Sequence, residues 1–201
     1  MKLIRNIVIL LIATLGIAIL PTESEAEIYE DTLRLHILAA SDSEEDQRIK
    51  HNVRDALLKE YSEILSAYGN VEDAKSAVKE MLPEIENFVN RFLASEGVTD
   101  TAVVTLTEEW YDTREYEGFT LPRGRYTSLR VIIGGGGGKN WWCVMFPPMC
   151  LDIATESAPI DDAAIGYTDE ELRLINKGEY SVKFKLLELV SDAVAKLSKK
   201  G

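Results

Sequence analysis

The chain has 201 residues, a formal net charge of −12 and a pI of about 4.7. A surface this acidic repels phosphate backbones and anionic lipid head groups, which argues against binding to nucleic acid or to a membrane surface. The hydrophobic content of 46% is sufficient for a packed core, so we expect a globular protein.

The N-terminus has the order of a secretory signal. Basic residues precede an apolar run over 7–20, and Ser24-Glu25-Ala26 places small residues at the two positions that a signal peptidase reads. The run is shorter than the ~20 residues of a membrane-spanning helix. We therefore predict a signal peptide over 1–26, cleaved after Ala26, and a single exported domain over 27–201. An uncleaved signal that tethers the chain to the membrane is the alternative.

The next segment predicts a strand followed by a long helix. Leu33, Leu35 and Ile37 alternate with residues of the other face within 31–40, which is typical of a strand. Asp42 or Ser43 is expected to cap a helix that runs to about Tyr68, since acidic residues fill its first turn. Its predicted core stripe consists of Ile49, Val53, Ala56, Leu57 and Ile64.

A second helix follows, capped by Asn70 with Asp73 at the capping-box position. Its apolar residues recur at helical spacing from Ala74 to Phe92. Pro83 lies inside this pattern and predicts a kink or a division of the helix. Gly97 is expected to end it.

The second half of the chain predicts strands and then helices. Strands are expected over 101–111 and 126–133, and a third over 141–146 beside the second. Thr168 and Glu171 predict a short helix, and apolar spacing predicts another over 182–197. The order indicates an α+β fold, a single domain with a small sheet and helices packed on one face.

Five consecutive glycines, Gly134 to Gly138, precede Lys139 and invite comparison with a phosphate-binding loop. Ile133 occupies the first glycine position of that motif and Asn140 replaces its Ser or Thr, so the comparison fails. A flexible connector is the expected role.

Evidence for catalysis or metal binding is weak. His36 and His51 lie on different predicted elements, and no compact set of metal ligands or cofactor motif is present. Carboxylate pairs are uninformative in so acidic a chain. An exported hydrolase that uses Cys143 or acidic residues remains the alternative to a protein that is not an enzyme.

Cys143 and Cys150 are the two cysteines of the chain. Thiols of exported proteins tend to oxidise, so we predict a structural disulfide between them, worth ~2.5 kcal/mol by the chain-entropy model. Two free buried thiols, or one reactive cysteine, are the competing interpretations.

The segment "NWWCVMFPPMC", 140–150, is rich in stiff apolar residues that suit a recognition surface. The partner-binding candidates are Trp141, Trp142, Phe146, Pro147 and Pro148. Because neighbouring residues of a strand point to opposite faces, we expect one tryptophan to fill the core and the other to lie outside.

Two segments, "LRLHILAASDSEEDQRIKHNVRDALL" and "NWWCVMFPPMC", resemble the stage II sporulation protein R family. Their remaining motif residues, of uncertain role, are Arg34, His36, Ser41, Asp42, Ser43, Asp46, Gln47, Lys50, Arg54 and Asp55. One departure is Ala40, which stands where the family usually has Asn.

The resemblance implies a signalling protein of endospore formation and not an enzyme. It implies export from the forespore into the space between the forespore and mother-cell membranes. The implied partner is a membrane-embedded aspartic-type receptor protease, which then processes a mother-cell pro-sigma factor. No nucleic acid, cofactor, metal or small-molecule substrate is implied.

Overall fold

The computed structural model describes residues 6, 23–116, 119–147, 149 and 167–175. Its elements in chain order are α1 (Glu23–Glu30), β1 (Leu33–Leu38), α2 (Glu44–Ser66), α3 (Val71–Ser95), β2 (Ala102–Tyr111), β3 (Arg114–Glu115), β4 (Thr120–Leu121), β5 (Gly124–Ile133), β6 (Asn140–Phe146) and α4 (Asp169–Ile175). The predicted helix over 182–197 lies outside the described residues.

The fold is α+β, a single domain built on a mixed four-stranded sheet of order β2-β5-β1-β6. Strand β1 lies between β5, to which it is parallel, and β6, to which it is antiparallel. The prediction of a strand at 141–146 is confirmed, but its expected position beside β5 is wrong. The turn after β5 is hydrogen-bonded to the backbone that follows β1, with Gly138 N donating to Ala39 O at 2.9 Å. The chain therefore crosses the end of β1, and β6 pairs with the edge of β1 that β5 does not occupy.

One face of the sheet forms the core with α2 and α3. Leu33, Leu35 and Ile37 of β1 are 0% exposed, and both long helices pack on their side of the sheet. Among the described helices, the one-face prediction holds for these two. Tyr29 of α1 packs edge-on against Tyr126 of β5, on the opposite side of the sheet.

Helix α2 begins as predicted, since Ser43 Oγ accepts a hydrogen bond from the Asp46 backbone N–H at 3.1 Å. Its buried stripe continues through Leu57, Tyr61 and Leu65. The prediction that Ile64 belongs to this stripe is wrong, because four-residue steps from Val53 reach Leu65, and Ile64 is 42% exposed.

Helix α3 is capped by Asn70, whose Oδ1 accepts from the Asp73 N–H at 2.9 Å. The predicted division at Pro83 is wrong, since the helix is continuous. A proline removes only one helical hydrogen bond, and buried residues such as Val78 and Ile85 anchor the helix on both sides. Gly97, at φ 78°, ends the helix as predicted in a motif in which Val98 N donates to Leu93 O.

The glycine run is a bonded turn, which corrects the expectation of a flexible connector. Gly137 N donates to Ala40 O at 3.2 Å, beside the bond from Gly138. A Cβ on Gly138 would lie 2.2 Å from the carbonyl oxygen of Ser41, so only glycine permits this approach of two backbones. The run therefore fixes β6 against the loop before α2.

At the N-terminal end, α1 begins before the predicted cleavage position, and Ile28 is 0% exposed. Helix α4 is opened by the predicted capping box, in which Thr168 N donates to Glu171 Oε2 at 2.6 Å. No helix within the described residues is both long and apolar enough to cross a membrane.

Candidate functional site: the tryptophan edge of the sheet

The two sequence motifs meet at the first half of β6, Asn140–Cys143, which we call the tryptophan edge. Strand β6 is an outer strand of the sheet and pairs with β1 so that Trp141 lies opposite Ile37 and Trp142 opposite His36. The two tryptophans therefore face opposite sides of the sheet, as predicted. Both are half-buried, and Trp141 packs against the hydrophobic core, so the expectation of one core and one outer tryptophan holds in part.

Trp141 lies on the helical side and contacts α2. The His51 ring meets it edge-on at 4.9 Å, and the Arg54 guanidinium lies 4.5 Å from its centroid. Arg54 is itself held by Asp55 Oδ1, 2.7 Å away. Burial, and then the Arg54 charge, lower the pKa of His51, which favours the neutral ring.

Trp142 lies on the opposite side, between two basic residues. The His36 ring stacks against it at 5.5 Å, and the Arg114 guanidinium lies 3.8 Å from its centroid. His36 is fixed by both ring nitrogens, because Nδ1 lies 2.9 Å from Glu109 Oε2 and Nε2 lies 3.0 Å from Asn140 Oδ1. Each tryptophan is thus held by one histidine and one arginine.

Glu109 of β2 links these groups across the sheet. It contacts His36, accepts from the Tyr111 hydroxyl at 3.3 Å and lies 3.4 Å from Arg130 Nε. Burial raises the pKa of Glu109, but the hydrogen bond and charge of His36, with the charge of Arg130, outweigh burial and lower it. Glu109 therefore stays ionised and orients His36.

Arg34 is the largest fully buried side chain on this face and is 0% exposed. Its guanidinium lies 3.9 Å from the Tyr111 ring centroid and 4.9 Å from that of Tyr126, and Nη2 donates to the Tyr116 hydroxyl. Nε and Nη1 have no hydrogen-bond partner among the described residues. A buried guanidinium is costly, and here the electron-rich faces of tyrosines replace a carboxylate partner.

The loop before α2 is tied to the start of β6. Lys139 N donates to Asp42 Oδ1 at 2.7 Å, and Lys50 Nζ donates to Lys139 O at 3.1 Å. Lys50 is 2% exposed, and burial lowers its pKa. Asp42 and Lys50 thus position the backbone that leads into the tryptophan edge.

Within the same loop, the Ser41 hydroxyl donates to Asp46, and Gln47 Nε2 donates to Ser41 O at 2.9 Å. The hydrogen bond from Ser41, and then that of the Ser43 side chain, lower the pKa of Asp46. The motif residues from Ser41 to Gln47 therefore stabilise the conformation of the loop before α2. Ala40, the departure from the family pattern, takes part through its backbone oxygen, so no side-chain amide is needed for that contact.

A pocket of about 410 Å³ lies between this edge and β3. Its lining residues are Arg114, Glu115, Tyr116, Asn140, Trp141, Trp142 and Cys143. Among the described residues, no group of three or more His, Cys, Asp or Glu side chains could hold a metal ion.

Several residues of this site were not predicted from the sequence, among them Glu109, Tyr111, Arg114 and Tyr116. One signal was available: polar residues recur on alternate positions of β2, on the side of the sheet that carries Arg34 and His36. Such alternation is ambiguous in a single sequence, because any solvent-facing strand shows it.

The other predicted partner-binding residues lie further along the chain. Phe146 is 0% exposed and Pro147 is buried, so neither presents surface to a partner in this structure. Pro148 lies outside the described residues, as does Cys150. Cys143 is 2% exposed and is not a free thiol.

The fold and this edge define a small α+β protein whose two sequence motifs build one aromatic and basic surface at the end of a sheet. The family model described as Stage II sporulation protein R matches residues 29–156. Stage II sporulation protein R of Bacillus subtilis (strain 168) is 34% identical over 152 residues, which cover 73% of this chain and 68% of that protein. The chain therefore belongs to the stage II sporulation protein R family and has a role in sporulation. No solved structure matches it.

Proposed function

We propose that the chain is an exported signal of endospore formation. It is made in the forespore and passes into the space between the forespore and mother-cell membranes. There it activates a membrane-embedded aspartic-type receptor protease, which processes a mother-cell pro-sigma factor. Membership of the family supports the sporulation role, and the order of residues in the N-terminal 26 residues supports export.

The observation that carries a binding role is the convergence of both motifs on the tryptophan edge. Trp141 and Trp142 are half-buried, on opposite faces of one strand, and each is held in place by a histidine and an arginine. Large aromatics that are fixed before binding lose little conformational entropy on association. Such a surface suits a ligand that must be recognised by another protein.

The alternative, an exported hydrolase that uses Cys143 or acidic residues, has less support. A nucleophilic cysteine needs an accessible thiolate. Cys143 is 2% exposed and is not a free thiol, and His36 is occupied by Glu109 and Asn140. We propose instead that Cys143 forms a structural bridge with Cys150, which would fix the chain that leaves β6.

The test is to delete the gene in its sporulating host and to follow the pro-sigma factor by immunoblot. We expect the precursor to persist. The full chain should restore processing when it is expressed in the forespore, whereas residues 27–201 without the leader should not, because export is required. Normal processing in the deletion strain would contradict the proposal. If the leaderless chain restored processing, only the export part of the proposal would be wrong.

A further inference from the structure

The pocket beside Trp142 is lined by Arg114, a cation for which the described residues supply no ion-pair partner. Arg114 takes part in no ion pair found among the described residues, and its buried Nε has no hydrogen-bond partner among them. Arg54, the corresponding cation over Trp141, differs because Asp55 neutralises it at 2.7 Å. Two similar cation–aromatic pairs therefore differ in charge balance, and the unbalanced one lines the pocket.

The rest of the pocket fits a carboxylate next to an apolar group. Tyr116, Trp141 and Trp142 supply aromatic walls, and the volume of about 410 Å³ is in the range of small ligand sites. A guanidinium fork matches carboxylate geometry. Glu115 is the carboxylate among the described lining residues, and it is exposed. A bound anion would therefore approach from the side of Arg114.

We propose that this pocket binds an acidic side chain, flanked by apolar residues, from the part of the membrane receptor protease that faces the space between the two membranes. The inference rests on the proposed function and specifies the chemistry of the partner. A partner complementary to the whole surface, with its net charge of −12, would be basic. Arg114, which forms no ion pair with the described residues, reverses that preference at this position and makes recognition here specific for charge.

The experiment measures the affinity of the mature full chain for the detergent-solubilised receptor protease of its host. Arg114→Gln should weaken binding about tenfold or more, since it removes the charged partner of a desolvated pair. Glu115→Gln should strengthen binding about two- to fivefold, because it removes a like charge at the pocket rim. Arg125→Gln, on an exposed arginine of another pocket, is the matched control and should change binding less than about twofold.

Opposite signs for two adjacent residues distinguish charge recognition from damage to the fold, and Glu115→Gln stays informative if Arg114→Gln unfolds. If the unaltered chain binds but neither variant changes its affinity, this inference is wrong and the proposed function stands. If the unaltered chain does not bind the receptor at all, the proposed function fails and this inference with it. Self-association of the chain, abolished by Arg114→Gln in sedimentation, would assign the pocket to a second copy and overturn the proposal.

Discussion

The close approach of the glycine turn to the loop before α2 predicts a large effect for a single methyl group. In Gly138→Ala, the new Cβ would lie 2.2 Å from the Ser41 oxygen and 2.5 Å from its carbon. Both are backbone atoms, so no side chain can rotate away. The two segments must separate by roughly 1 Å to reach an ordinary contact distance. That movement also breaks the hydrogen bond from Gly138 N to Ala39 O.

Overpacking of this kind costs about 1–3 kcal/mol, and the lost hydrogen bond about 1 kcal/mol more. We therefore expect Gly138→Ala to lower the free energy of unfolding by about 3 kcal/mol. For a domain of this size the melting temperature should fall by about 6–12 °C. Urea unfolding and thermal melting followed by circular dichroism measure both quantities.

Gly135→Ala is the matched control, because a Cβ at Gly135 meets nothing within 4 Å and the residue has no positive φ. It should be neutral, or more stable by up to about 1 kcal/mol through the unfolded chain. Equal stability of the two variants would refute the close packing described for Gly138. Loss of pro-sigma processing in Gly138→Ala at a temperature at which it is folded would tie the turn to the tryptophan edge.

Three further predictions concern the cap, the tryptophans and the partly buried carboxyl group of Asp31. Ser43→Ala should cost about 1 kcal/mol in urea unfolding, since it removes the cap of α2, and an unchanged midpoint would place the cap elsewhere. Trp141→Ala loses core contacts and should lower the free energy of unfolding by about 3 kcal/mol. Trp142→Ala should lower it by about 1 kcal/mol yet abolish pro-sigma processing. Normal processing in both variants would exclude the tryptophan edge as a contact surface. Burial and the neighbouring Glu171 raise the pKa of Asp31 to about 6, so the folded state binds the proton more tightly than the unfolded state and stability should fall as pH rises from about 4 to 6. Asp31→Asn should remove this pH dependence and raise the free energy of unfolding by about 1 kcal/mol at pH 7, after allowance for solvent screening. If the melting temperature of the variant varied with pH as that of the unaltered chain does, the prediction would be wrong.

The parts of the fold that follow from local rules were predictable from sequence. The caps at Ser43, Asn70 and Thr168 each depend on residues three positions apart, so a short window contains all the information. The position of β6 depends on pairing with β1, which is distant in the chain, and no local pattern encodes it. The prediction for Ile64 was wrong for a similar reason, since only packing decides which of two neighbouring apolar residues, Ile64 or Leu65, lies in the core.

The site was predictable in part. The tryptophans and the residues from Arg34 to Arg54 were recognisable as motifs, and strand alternation correctly placed the two tryptophans on opposite faces. Their contacts were not predictable. Glu109 and Arg114 reach His36 and Trp142 only because β2, β5 and β1 lie side by side, and a single sequence does not report that arrangement.

The central place of β1 in the sheet has a consequence for the order in which the molecule can be completed. Its two neighbours, β5 and β6, lie roughly a hundred residues further along the chain. A polypeptide that is synthesised or exported N-terminus first can form the hairpin of α2 and α3 early, because those contacts are local. Arg34 gains its tyrosine partners only when the chain from β2 to β5 is present, and His36 gains Asn140 and Trp142 only when β6 arrives. The surface that we assign to recognition is therefore assembled only once β6 has been made, so a chain that ends before β6 would not display it.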